Sequence, residues 1–236
     1  NYENNASTTI YQHPLETLNR SAMVKQPQAI LFDLDNTLTN RRASIITFAR
    51  QFDDDFRSRH QMTQLDDMTS IIHDADGGGY RPLEERWQLL QEQILWRDTP
   101  SVDELRDYWY TQLGYCAISV EGLHNTLSEL RDRQITLGII TNGPTGLQNL
   151  TADVLKLRQY MDCVIVSETV GIKKPNAEIY KIALAEINQL ASDVWFVGDN
   201  PATDLLGAYK MEMTTVWIRG HHDWGNQPFQ PDYTVD

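Results

Sequence analysis

Short uninterrupted apolar runs alternate along this chain with stretches in which apolar residues recur every three or four positions. The runs at 29–32, 135–140, 163–166, 194–197 and 214–218 are each bounded by turn-forming residues, and they have the length of strands buried on both faces. Between them, Leu123, Leu127 and Leu130, then Leu147, Leu150 and Val154, then Ile179, Ile182 and Ala183 fall at helical spacing. Strands that alternate with helices predict an α/β fold with a parallel sheet covered on both faces.

The first interval breaks the alternation. About a hundred residues separate the first apolar run from the second, far more than one crossover helix needs. Within it Ile45, Phe48, Phe52 and Phe56 form one helical stripe, followed by Leu65, Met68 and Ile72, then Leu83, Trp87, Leu90 and Ile94, then Leu105, Tyr108 and Leu113. Pro82 suits the first turn of a helix, and Ser101 with Glu104 has capping-box spacing. Gly77, Gly78 and Gly79 read as a flexible loop. The expected organisation is a polar extension over 1–24, a core made of 25–39 and 119–236, and a small helical domain over 40–118. Met23 is a candidate natural start, with 1–22 as the extension before it.

Composition narrows the choices without altering that outline. The apolar fraction of 41% and charged fraction of 22% are those of an ordinary globular domain. A formal net charge of -13 argues against nucleic acid or an anionic membrane surface as a partner, because both are bound by clustered Lys and Arg. An anionic substrate must therefore meet a local positive site. The two cysteines, Cys116 and Cys163, have no metal-ligand spacing. No apolar run approaches the length of a membrane span, and residues 1–14 lack the basic and apolar regions of a signal peptide, so a cytoplasmic location is expected.

Chemistry gathers at the ends of the predicted strands, where open α/β sheets bind ligands. After the first run stand Asp33 and Asp35, two residues apart and followed by Asn36 and Thr37; the alternative is an acidic turn that caps a helix. The second run ends in Thr141, Asn142 and Gly143, which offer a hydroxyl and backbone amides to a phosphate, or form an everyday strand-to-helix turn. After the third comes Lys174 before Pro175, which should open the next helix and hold the lysine extended. There Lys174 is a candidate phosphate cation or a solvated surface lysine, as Lys173 reads, and charge alone does not favour it over its neighbour. The fourth run leads into Gly198, Asp199 and, one turn on, Asp204; with Asp33 and Asp35 these would make an oxygen-rich cluster of the kind that suits magnesium, the alternative being a turn residue at Asp199 and a helix N-cap at Asp204.

In their order, Asp33-Leu34-Asp35-Asn36-Thr37, Thr141-Asn142, Lys174-Pro175 and Gly198-Asp199 through Asp204 resemble the motifs of the haloacid dehalogenase superfamily, from about Lys25 to the end of the chain. The insert resembles the C1 helical cap of subfamily I. The resemblance implies a Rossmann-like core with strand order 5-4-1-2-3 and the fifth strand at an edge. It also implies a phosphatase in which Asp33 is the nucleophile, Asp35 the general acid and base, and Thr141, the amide of Asn142 and Lys174 the phosphate holders. Mg2+ would be bound by Asp33, the backbone carbonyl of Asp35 and Asp199, with Asp204 in support.

The expected substrate is a small phosphorylated metabolite: the segments 170–180 and 198–218 resemble nucleotidase-type members of the family and so point to a nucleoside monophosphate, with sugar phosphates and phosphoglycolate as alternatives. Gly77 to Gly79, Tyr80, Arg81 and Arg42 are candidate contacts to its organic part, with a mobile loop and solvated arginines as the alternative. Phe48, Phe52, Phe56 and Trp87 read as helical-domain core, and His73, His124, His221 and His222 are given no role. A 2-haloacid dehalogenase would need neither Asp35 nor a metal. A phosphomutase of the same fold would keep both, and a non-catalytic binding protein would be expected to have lost one of the aspartates.

Overall fold

The computed structural model describes residues 26–236, so the extension expected over 1–24 and the candidate start at Met23 lie outside the described residues. The chain runs β1 (Ala29–Phe32), then α1 (Arg41–Asp55), α2 (Leu65–Asp76), α3 (Leu83–Gln93) and α4 (Val102–Tyr115), then α5 (Leu123–Asp132) and β2 (Thr136–Thr141). It continues with α6 (Thr145–Val154), β3 (Cys163–Val166), α7 (Ser167–Val170), α8 (Ala177–Glu186), β4 (Val194–Gly198), α9 (Leu206–Lys210), β5 (Thr214–Ile218) and β6 (Tyr233–Val235).

All strand pairs are parallel and the order is β3-β2-β1-β4-β5-β6. This is the 5-4-1-2-3 order with one strand added beyond β5. The expectation that the fifth strand forms the edge is therefore corrected, because Val216, Trp217 and Ile218 pair with Tyr233, Thr234 and Val235. β1 lies between β2 and β4, which brings the carboxyl ends of these three strands side by side.

Leu31, Ile140, Ile165, Val194 and Phe196 on one sheet face pack with Ile179, Tyr180 and Ala183 of α8. On the other face Ile30, Phe32, Leu137 and Ile139 pack with Leu123 and Leu127 of α5. Both faces are thereby closed to water, which is why the strands read as continuous apolar runs.

The four helices α1 to α4 enclose a separate apolar cluster of Phe48, Phe52, Met68, Ile72, Trp87, Leu90, Leu105 and Trp109, as the stripes in the sequence imply. Trp109, fully buried, fills the position that helical spacing assigned to the partly buried Tyr108. The chain leaves the sheet and returns to it through two segments bonded to each other: Thr39 bridges Ser119 antiparallel, the Asn40 amide donates to the Ile118 carbonyl, and the Val120 amide donates to Leu38. Helix α4 rests on α6 of the core.

Three local expectations need adjustment. Gly77, Gly78 and Gly79 form a single 3-10 turn with φ of 52°, 65° and 91°, not a slack loop. Pro175 lies in a turn and does not begin a helix; α8 starts at Ala177, capped by the Asn176 side chain, which accepts from the Glu178 amide. Pro82 likewise precedes α3 as its cap residue.

Candidate active site

β1 ends at Phe32, and the next residue, Asp33, keeps the ladder going through its amide to the Val197 carbonyl. That fixes its carboxylate at the carboxyl edge of the sheet. The chain then turns at Asn36, with φ of 61°, whose amide donates to Thr39 Oγ1, while Leu38 and Thr39 amides donate to the Leu34 carbonyl. This tight turn sets Asp35, partly exposed, just above the buried Asp33.

Asp199 follows β4 and is wholly buried, and Asp204 sits in the turn that opens α9. One carboxylate oxygen from each of Asp33, Asp199 and Asp204 lies within 4.8 Å of the others. Asn200 caps the turn by accepting from the Ala202 and Thr203 amides, and the Asn200 amide donates to Asp204 Oδ2. Gly198 is needed for this approach: a Cβ there would lie 2.7 Å from that of Asp204.

Lys174 brings the counter-charge. Its ammonium donates to Asp33 Oδ1 at 2.6 Å and lies 2.8 Å from Asp204 Oδ1, and only 3% of the residue is exposed. Burial opposes its charge, but Asp204 and Asp33 outweigh that and hold the ammonium pKa above its usual value. Asn142 braces the lysine from β2, accepting from the Lys174 amide through Oδ1 and donating to the Lys174 carbonyl through Nδ2. Lys173 is exposed.

The cluster remains over-charged. Burial first, and then Asp204 and Asp35, push the Asp33 carboxyl up to about 7 despite Lys174. Burial, Asp33 and Asp204 push Asp199 up to about 8. Both carboxylate oxygens of Asp199 are buried without a hydrogen-bond partner, and His222 Nε2 stops 3.6 Å short of Oδ2. Two buried acceptor oxygens with no donor are costly unless a cation takes them. An all-oxygen donor set of this kind fits magnesium.

Around this centre the sequence-derived candidates separate. Thr141 is buried and its Oγ1 accepts from Gln148 Nε2 at 2.6 Å; the same Nε2 donates to Asp35 Oδ2 at 2.9 Å. Tyr80 stands with its ring edge-on to His222, centroids 4.8 Å apart, and burial together with Asp204, Asp199 and Asp33 raises its phenol pKa. Arg81 turns away to the Asp74 carbonyl and Glu85. Arg42 is exposed, and the cation at the entrance of the helical insert is its neighbour Arg41, bonded to Asp35 and Asp76. Arg41, Asp76, Gln148 and His222 were thus missed. Gln148, a polar side chain directly beside the apolar stripe of α6, was the one with a readable signal.

Two cavities adjoin the site. One of about 20 Å³, lined by Asp35, Arg41, Ser44, Leu113, Leu147 and Gln148, has room for about one water. A cleft of about 310 Å³ opens at the end of β5, lined by Trp217, Arg219, His221 and His222. The Trp217 indole N–H donates to the Asp199 carbonyl, tying the cleft wall to the acidic cluster.

Comparison with known proteins gives a consistent picture. Residues 30–218 match the family model of haloacid dehalogenase-like hydrolases. The chain is 29% identical over 200 residues to the ribulose-1,5-bisphosphate 5-phosphatase of Halopiger xanaduensis, covering 80% of this chain and 83% of that one. To the pyrimidine 5'-nucleotidase YjjG of Escherichia coli it is 38% identical over 100 residues, so that match spans 42% of this chain and only 44% of that relative. Among solved structures, YfnB from Bacillus subtilis, bound to magnesium, superposes with a TM-score of 0.71 at 22% identity over 89% of this chain and 95% of that one. At that identity the likeness speaks for the fold.

Proposed function

We propose, from the premise that the chain belongs to the haloacid dehalogenase-like hydrolase family, that it is a magnesium-dependent phosphatase of small-molecule phosphomonoesters. The observation that carries the reading is the meeting of Asp33, Asp199 and Asp204, with the buried Lys174 paired to Asp33 and Asp204 and with Asp35 two residues beyond Asp33. The Asp33 carboxylate attacks phosphorus as the bond to the leaving oxygen breaks, and Asp35 delivers a proton to that oxygen. Asp35 then takes a proton from water, which attacks the phosphorus of the aspartyl phosphate and frees Asp33 and phosphate. Lys174, the Thr141 hydroxyl and the Asn142 amide hold the phosphoryl oxygens.

Asp33, the Asp35 carbonyl and Asp199 would hold Mg2+, with Asp204, already engaged by Lys174 and the Asn200 amide, in support. Bound there, the ion offsets the charge of the phosphoryl oxygens and of the carboxylates together. The acidic protein thereby gains a positive site for an anionic substrate. Its organic part is assigned to the cleft lined by His222, the imidazole that Tyr80 meets edge-on. The named activities of the relatives, on a sugar bisphosphate and on pyrimidine nucleotides, support a sugar phosphate or a nucleoside monophosphate as the substrate class. The two-sided hold on Asp35 weighs against a dehalogenase, which has no use for a second carboxylate.

The test is phosphate release from nucleoside monophosphates, sugar phosphates, phosphoglycolate and 4-nitrophenyl phosphate, with magnesium and with chelator. Release that chelator abolishes is the expected result. No release from any of them would overturn the phosphatase reading in favour of phosphoryl return to a sugar, dehalogenation or binding alone.

A further inference from the structure

Arg41 is the first residue of α1, in the helical insert, yet its guanidinium spans both parts of the molecule. Nε and Nη2 fork onto the two oxygens of Asp76, each at 2.7 Å, and Nη1 donates to Asp35 Oδ1 at 2.8 Å. Asp76, at the end of α2, is 2% exposed. The carbonyls of Ala75 and Asp76 accept from Arg86 of α3, whose guanidinium lies 4.8 Å from the Trp109 ring centre in the middle of the insert. Gly79 leaves the space: a Cβ there would stand 3.0 Å from Arg41 Cζ.

Asp35 is thus held from two sides, by Arg41 on Oδ1 and by Gln148 of the core on Oδ2. The amide orientation is dictated chemically, since the reverse would set its oxygen against a carboxylate. A buried ion pair adds little net stability over apolar packing, but its forked geometry fixes orientation. Among the described residues Arg41 pairs with two carboxylates, that of Asp76 and that of Asp35, which must face the leaving oxygen.

We propose that Arg41, seated by Asp76, is the positioning residue for Asp35, so that the alignment of the acid and base depends on how the helical insert sits on the core. The proposal rests on the phosphatase reading, with Asp35 as the group that protonates the leaving oxygen. An acid matters most where the leaving group is poor, and hardly at all where it departs unaided. A merely structural pair would slow every substrate in the same proportion.

The experiment measures kcat/KM for a series of aryl phosphates from 4-nitrophenyl to 4-methoxyphenyl with wild type, Arg41→Lys, Asp76→Asn and Asp35→Asn, all with magnesium. kcat/KM isolates the first phosphoryl transfer, in which the leaving group departs. Arg41→Lys and Asp76→Asn are expected to lose about tenfold more on 4-methoxyphenyl than on 4-nitrophenyl phosphate, a part of the rate that a positioned acid supplies. Asp76→Asn added to Asp35→Asn should cost nothing further. Equal losses across the series, or a full additional loss in the Asp35→Asn background, would overturn the proposal. If Asp76→Asn fails to fold, Arg41→Lys decides alone. Wild type inactive on this series and on nucleoside monophosphates, sugar phosphates and phosphoglycolate would instead strike the phosphatase reading on which the proposal stands.

Discussion

Lys174 concentrates the electrostatics of the site in one atom, because its ammonium is the cation that Asp33 and Asp204 share in an interior that excludes water. Removing one partner of a buried pair leaves charge without compensation, at a cost of about 3–5 kcal/mol. Lys174→Met should therefore lower the urea-unfolding free energy by about that much, and magnesium should restore part of it by taking over the carboxylates. An unchanged midpoint would show that the ion pair is solvated. That this lysine meets Asp33 and Asp204 at one end of the sheet, with Asp199 beside them, was legible from motif order. The neighbouring Arg41 was not, since successive helical residues point about 100° apart and two adjacent arginines look alike in sequence. Arg42, the candidate contact to the organic part of the substrate, is exposed, whereas Arg41 bonds to Asp35 and Asp76. His222 carried no signal at all, because its approach to Asp199 depends on where the chain goes after β5.

At the scale of elements, local signals and burial explain what could be read. The capping box before α4 forms in full: the Ser101 amide donates to Glu104 Oε2 at 2.8 Å and the Glu104 amide donates to Ser101 Oγ at 3.2 Å. Ser101→Ala should cost about 1 kcal/mol in thermal or urea unfolding. It should leave kcat/KM unaltered, because the cap is exposed at the end of α4 away from α6 and the acidic cluster; a large loss of activity would mean that α4 is misplaced in this account. β1, β3 and β5 were legible to the residue, since each is a run of apolar or β-branched residues buried in the sheet. β6 was not, because Tyr233-Thr234-Val235 is exposed throughout and too short for its alternation to mark a strand. The turn over Pro201–Leu205 was equally hidden, as its shape is set by Asn200 and Asp204 bonding to backbone amides.

Over the whole molecule, an acidic chain of net charge -13 directs three carboxylates and one lysine to a single point on the sheet edge, beneath a helical insert that reaches back to Asp35. No helix among the described residues is long and apolar enough to cross a membrane. The α/β class and the strand order from β3 to β5 followed from alternation and resemblance, whereas the contact between the two parts did not. Helical stripes report which face is buried and are silent about what a polar residue at a helix end will touch.

The proposed mechanism requires Asp33 to be a nucleophile toward phosphorus. Phosphate release by Asp33→Asn beside wild type, with magnesium, on the best substrate found, decides this when an unfolding curve is recorded for both. The variant is expected to fold and to lose turnover by at least about a thousandfold, since the covalent route vanishes with the carboxylate. A folded Asp33→Asn that releases phosphate at the wild-type rate would contradict it.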